Sequence, residues 1–185
     1  MIITVSANKG IKCQVSDFSL VVDPEKGSKA DVVLRTITEA PVPEGEYSEI
    51  VGAGEYEISG TKVNGVQLGK ESSAKQIRTA YVANMDEIRL CFLGSHLSSD
   101  LTEEVLDAVG EADIVFAPEP TKDYDAKKIA SLIKQIEPHL IIPITEKATA
   151  ELAKELGQKP EKMEKLVIKK KELEEMNSKL IAISS

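Results

Sequence analysis

Residues 31–42 read DVVLRTITEAPV, and the two halves of this stretch predict different structures. The first half, Asp31–Arg35, is a short and nearly continuous apolar run, which is the pattern of a strand covered on both faces. The second half, Ile37–Val42, contains a proline and no histidine, cysteine or aspartate. We therefore expect a buried strand that leads, through Thr36, into a loop without catalytic residues.

Short β-branched runs separated by turn residues surround this strand and predict a meander of strands. Gly, Asn and Asp stand at the joints between the later runs, so we expect those strands to be antiparallel. The expected strands are Ile2–Ser6, Ile11–Val15, Phe18–Asp23, Glu55–Ser59, Lys62–Leu68, Ile77–Ala83 and Ile88–Leu93.

Helices begin to alternate with strands in the second half of the chain. Apolar residues at helical spacing predict helices near Val105–Val109, Ala126–Ile136 and Ala148–Leu156, the first of them capped by Asp100 or Thr102. Further strands are expected at Asp113–Ala117, His139–Ile144, Leu166–Ile168 and Leu180–Ile183. Amphipathic helices that cover two packed sheets make an α/β sandwich, and no linker divides residues 1–185 into more than a single domain.

Charge and hydropathy exclude several classes of function. The formal net charge of −8 opposes binding to nucleic acids and to anionic membranes, which both require a positive field. No apolar run approaches the roughly 20 residues that span a bilayer. Cys13 and Cys91 lie in apolar strand patterns, which indicates buried free thiols in a reducing compartment. We therefore expect a cytoplasmic protein with neither a nucleic-acid nor a membrane partner.

Several stretches, in this order, resemble the metallo-β-lactamase fold superfamily, and especially its small zinc-dependent hydrolases related to the ascorbate-phosphate lactonase. They are Ala30–Thr36, Val51–Gly60, Leu93–Leu97, Leu101–Glu104, Asp125–Lys128 and Ile136–Thr145. The resemblance implies a four-layer αββα sandwich. Its most specific part contains Gly52, Gly54, Glu55 and Tyr56, for which we expect a structural role, with the glycines at a bend.

The chemistry of that family needs metal ligands that this chain lacks at the matching positions. The family holds zinc or manganese with a His-x-His-x-Asp-His loop, a later His, a bridging Asp and a last His, and the metal acidifies a bound water. The matching positions here are Ile37, Glu39, Pro41 and Val42 in the loop, then Lys70–Glu71, Ser95 and Thr145. We therefore expect no catalytic residue, no metal and no other cofactor.

Polar groups that remain near the former metal site leave two hypotheses open. The first is a catalytically inactive protein with a binding, scaffolding or oligomer-forming role, whose partner is another protein or a second copy of the chain. The second is a lactonase-like or esterase-like hydrolase with a relocated site. In either case the candidate residues of the former cleft are Glu39, Glu71, Ser95, His96 and Thr145.

Overall fold

The computed structural model describes residues 1–25, 27–42 and 49–184, most of which lie in strands and helices. The strands are β1 (Ile2–Val5), β2 (Ile11–Val15), β3 (Phe18–Val22), β4 (Val32–Arg35), β5 (Ile37–Glu39), β6 (Ile50–Val51), β7 (Gly54–Ile58), β8 (Thr61–Gln67), β9 (Gln76–Met85), β10 (Ile88–Phe92), β11 (Ile114–Ala117), β12 (Leu140–Pro143), β13 (Glu161–Met163), β14 (Leu166–Val167) and β15 (Lys179–Ile183). The helices are α1 (Glu103–Val109), α2 (Ala126–Ile136), α3 (Glu146–Leu156) and α4 (Lys170–Glu174), with a 3₁₀ turn at Gly69–Glu71.

Two sheets are formed by these strands. The first has the order β14-β1-β2-β3-β4-β6, and the second has the order β13-β15-β12-β11-β10-β9-β8-β7, with β5 added to β9. Strands β7 to β10 are antiparallel, as the turn residues predict. Strands β10, β11, β12 and β15 are parallel, because helices α1, α2 and α3 return the chain between them.

Two apolar clusters hold the layers together. One lies between the sheets and contains Leu20, Leu34, Phe92 and Phe116, all of them almost fully buried. The other lies between the second sheet and helices α1, α2 and α3. It contains Ile129, Ile133 and Leu152 of the helices and Val115 of β11. The α/β sandwich that the sequence predicts is confirmed.

A four-layer αββα sandwich has helices on the outer face of each sheet. In the described part of the chain, the helical layer on the outer face of the first sheet is reduced. The buried side chain of α4, Leu173, joins the core between the sheets and does not cover that outer face. Ile2 and Val167, which are cross-strand neighbours, remain 42% and 61% exposed there. The connection from β4 to β6 is only 14 residues long, from 36 to 49, and its first residues are used by β5.

The remaining expectations for the chain are partly met. Cys13 and Cys91 are free and buried, as predicted, and burial raises the pKa of Cys91 to about 12. The strand expected at Leu166–Ile168 is found as β14, and the structure adds β13 and α4, which were not predicted. None of the described helices is both long enough and apolar enough to cross a membrane.

Candidate functional site

Strand β4 is followed directly by Thr36, which is bonded to Asp23. Strands β3 and β4 are parallel, so Asp23 and Thr36 follow them at the same edge of the first sheet. The Thr36 amide donates to Asp23 Oδ1 at 2.8 Å, and the Thr36 hydroxyl bonds Asp23 Oδ2. Burial raises the pKa of Asp23, and the bonds from Thr36 offset this only in part. The two strand ends are thereby tied together.

The loop that carries the metal ligands in the family is a strand in this chain, which corrects the expectation of an irregular loop. Ile37, Thr38 and Glu39 form β5 and pair with Arg78, Ile77 and Gln76 of β9. Flanking bonds run from Thr79 N to Thr36 O and from Ala40 N to Lys75 O, both at 2.9 Å. Residues 43–48, which complete the shortened loop from 37 to 50, lie outside the described residues.

An apolar cavity of about 250 Å³ occupies the end of the core beside β5. Its polar lining consists of Asn8, Lys9, Asp23, Thr36 and Ser95, with Gly94 next to Ser95. Its apolar lining consists of Ile11, Val22, Ile37, Phe92, Leu93, Phe116 and Ile144. Among the five candidate residues of the former cleft, Ser95 lines this cavity and the others do not.

Ser95 and His96 are in contact, but the geometry does not make His96 a base for Ser95. Arg78 Nη2 lies 2.8 Å from His96 Nε2, and Ser95 Oγ lies 3.0 Å from His96 Nδ1. A guanidinium only donates, so Nε2 must accept, and the neutral ring then carries its proton on Nδ1. Burial, followed by the charge of Arg78, lowers the pKa of His96 and favours this neutral form. Ser95 therefore accepts a hydrogen bond from His96 and gives it no proton.

Glu71, Thr145 and Glu39 have structural surroundings of their own. Glu71 accepts four bonds of 2.8–2.9 Å from the amides and hydroxyls of Ser98 and Ser99. Burial alone would raise its pKa, but these bonds hold the pKa below the usual value. The Thr145 hydroxyl caps α3 by accepting from the Ala148 amide at 3.1 Å, and Glu39 points to solvent at the end of β5.

Gly52 and Gly54 lie at a bend where β7 begins, and the sequence predicts a structural role for them. Gly52 and Gly54 have φ values of +82° and +153°, and a Cβ on Gly54 would lie 2.8 Å from the Tyr56 hydroxyl. The Gly52 carbonyl accepts from the buried Tyr81 hydroxyl at 3.1 Å. Tyr56 packs against the core between the sheets, whereas Glu55 is exposed. These residues shape the β7 edge of the second sheet.

A group of charged residues around Lys9, which lines the cavity, was not identified from the sequence. Lys9 Nζ donates to Glu119 Oε2 at 2.7 Å, and Lys147 Nζ lies 3.8 Å from Glu119 Oε1. The hydrogen bond from Lys9 and the charges of both lysines lower the pKa of Glu119, although burial acts in the opposite direction. Lys9 follows Asn8 in a turn, and Glu119 lies between two prolines, so neither stands in a recognisable motif.

The donor set of the cavity does not fit zinc. Zinc sites use thiolate, imidazole and carboxylate ligands, and the cavity offers Asp23, Ser95 and Thr36 with an otherwise apolar wall. Within residues 1–25, 27–42 and 49–184, no three His, Cys, Asp or Glu side chains come together in a group that could hold a metal ion.

Comparisons with known proteins give a family and a fold. The family model for the beta-lactamase superfamily domain matches residues 11–145. A candidate Zn-dependent hydrolase of the metallo-β-lactamase superfamily from Thermotoga maritima superposes with a TM-score of 0.76 at 20% identity, over 99% of this chain and 97% of the other. A search of curated protein sequences finds no match.

Two further solved structures are similar at lower scores. A candidate metal-dependent hydrolase from Parabacteroides distasonis has a TM-score of 0.57 and 18% identity, over 83% of this chain and 87% of that one. The metallo-β-lactamase fold protein YhfI from Bacillus subtilis has a TM-score of 0.60 and 11% identity, over 85% and 94%. At these identities the likeness concerns the fold, which does not by itself determine activity.

Proposed function

The chain belongs to the metallo-β-lactamase superfamily, and we propose that it is a non-catalytic member that acts by binding. The observation that carries this proposal is β5. Where the family places two histidines and an aspartate, this chain places Ile37 and Glu39 in a strand bonded to β9, followed by Pro41. A strand fixed along β9 presents Ile37 to the cavity, so the cavity wall gains an apolar side chain in place of an imidazole.

The partner that we propose is a small ligand in the cavity or a protein on the uncovered sheet face. Ile2 and Val167 lie side by side on the outer face of the first sheet and are the exposed large apolar residues of the described chain. Exposed apolar neighbours of this kind favour contact with another protein or with a second copy. Sedimentation or light scattering at several concentrations tests whether the chain self-associates.

The alternative is a hydrolase with a relocated site, and the contact between Ser95 and His96 is the one observation in its favour. The bond from Arg78 to Nε2 opposes it, because the remaining ring nitrogen must donate to Ser95. An esterase activity that is lost in the Ser95→Ala variant would support this alternative.

Thermal unfolding with added metal tests the proposal. A ligand that binds only the folded state at 100 times its Kd stabilises by about 2.7 kcal/mol, which shifts the Tm of a domain of this size by several degrees. We expect zinc, manganese and EDTA to leave the Tm unchanged. The Ser95→Ala variant is the matched control, since Ser95 lines the cavity and a shift that persists without its hydroxyl arises elsewhere. A saturable rise of several degrees that is lost in this variant would contradict the proposal.

A further inference from the structure

The cavity at the former metal site is large enough for a small organic ligand. Its volume of about 250 Å³ is several times the ~30 Å³ that one water occupies in the liquid. Its lining is mostly apolar side chains, and an apolar wall gives water few hydrogen-bonding partners. Entry of a short hydrocarbon chain would therefore bury apolar surface on both sides, which is favourable.

Lys9 lines this cavity, and its backbone is held in a turn. It occupies a left-handed turn with φ of +67°, and its amide donates to the Ser6 carbonyl at 2.9 Å. The Ser6 amide donates to the Gly10 carbonyl at 2.8 Å, which closes the turn. The backbone of Lys9 is thus fixed before any ligand arrives, which reduces the entropy lost on binding.

The group that Lys9 forms with Glu119 and Lys147 carries one more positive than negative charge, which favours an anion next to Lys9. Glu119 is one carboxylate between two ammonium groups, 2.7 Å from Lys9 and 3.8 Å from Lys147. One positive charge is therefore uncompensated within this group of three, on a chain whose net charge is −8. A ligand carboxylate next to Lys9 would complete two pairs, with charge-assisted hydrogen bonds.

The carboxylate already in the wall does not compete for Lys9. Both oxygens of Asp23 are engaged by Thr36, one by its amide and the other by its hydroxyl. The side chain of Lys9 is bonded to Glu119 instead and is 41% exposed, so it can contact a ligand that enters from solvent.

We propose that this cavity binds a short-chain monocarboxylate, with its hydrocarbon tail between Ile37 and Phe92 and its carboxylate against Lys9. The inference rests on the proposed function, because the tail would occupy the space that a metal centre takes in the family. It adds to that function the chemical class of the ligand and the residue that recognises it.

Calorimetric titration with hexanoate tests the inference, with hexanol and hexylamine as probes of equal tail length. We expect hexanoate to bind about tenfold more tightly than either, because only the carboxylate gains the charge-assisted bond. The Lys9→Met variant should bind hexanoate about tenfold more weakly and lose its preference over hexanol.

Two further variants complete the experiment. Lys12→Met is the matched control, since Lys12 is an exposed lysine of β2 that does not line the cavity, and it should bind like the wild type. Ile37→Trp should fill the cavity and abolish binding while its circular dichroism stays native. Equal affinity for hexanoate and hexylamine, or unchanged affinity in Lys9→Met, would overturn the inference whether or not the Ile37→Trp variant folds.

Metal content separates this inference from the proposed function. Titrations use protein treated with EDTA and desalted, and metal is measured in the untreated sample. Hexanoate binding by the treated protein supports the inference. If the treated protein does not bind hexanoate and the untreated sample contains no metal, the inference alone is overturned. If the untreated sample contains stoichiometric metal, the proposed function is overturned.

Discussion

Asp23 and Thr36 join the ends of two parallel strands at the edge of the cavity, and the pair was not predictable from the sequence. The residues are 13 positions apart, and their contact depends on the parallel register of β3 and β4. That register is set by the packing of Leu20 and Leu34 in the core between the sheets, which a single sequence does not display.

The Asp23→Asn variant tests the electrostatic cost of this pair. Because burial raises the pKa of Asp23 above its unfolded value, the folded state holds the proton more tightly. The stability that protonated Asp23 contributes is fully present below the pKa of Asp23 in the unfolded chain. It is lost as pH rises through the pKa of Asp23 in the folded protein. We expect the stability of the variant relative to the wild type to increase as pH rises above about 4, measured by urea unfolding.

Asp31→Asn provides a control of opposite sign. The Asp31 carboxylate accepts from the amide and hydroxyl of Ser19, and these bonds lower its pKa. A lowered pKa stabilises the fold above the unfolded pKa and ceases to do so as pH falls through the folded value. This variant should be less stable than the wild type at neutral pH and approach it in acid. The same trend in both variants would refute the assignment for Asp23.

At the scale of elements, β5 is the feature that sequence reasoning missed. A run of three residues is too short to show the alternation that identifies a strand. Its partner is the first part of β9, residues 76–78, whereas β10 pairs only with residues 81–85. Strand β5 therefore forms only because β9 extends beyond the end of β10. The local sequence pattern does not predict this extension.

The Thr38→Pro variant tests whether β5 is held by backbone bonds. Hydrogen-bonded and non-hydrogen-bonded pairs alternate along an antiparallel ladder. Backbone bonds join Thr36 to Thr79 and Ala40 to Lys75. Thr38 and Ile77, which lie midway between them, are therefore also a hydrogen-bonded pair. Proline at 38 removes that donor and leaves the Ile77 carbonyl without its partner. We expect the free energy of unfolding to fall by about 1–3 kcal/mol, measured by urea unfolding.

Glu39→Pro is the control for this variant. Glu39 pairs with Gln76 in the other phase of the ladder, where its amide faces away from β9. The exposed position tolerates proline, so we expect a smaller loss than in Thr38→Pro. Equal losses in the two variants would mean that β5 is not held by the ladder.

The other elements divide according to how strong their local signals are. Helix α1 begins after its predicted cap Thr102 and ends at Gly110, and α2 ends before Pro138, because caps and breakers act locally. Helix α4 was missed, since its five residues are charged except for Leu173, which the core buries. Periodicity cannot identify one turn of helix with a single apolar residue.

At the scale of the whole molecule, fold and chemistry are separable in this chain. The largest buried side chains belong to the two apolar clusters on the faces of the second sheet. Neither cluster contains a residue at a position that matches a metal ligand of the family. The core therefore does not depend on the residues at these positions, and the family model matches residues 11–145. The candidate site was predictable only as a set of replaced positions, because its cavity and the Lys9–Glu119 pair arise from tertiary contacts.

Metal content of the intact protein tests the central claim, which is that the fold persists without a metal centre. The chain would be expressed in medium supplemented with zinc, manganese and iron, purified without chelator, and analysed by mass spectrometry of both the metals and the native protein. We predict less than about 0.1 metal ion per folded chain, because the donors that such a centre needs are replaced. One or two ions bound per chain would contradict the account.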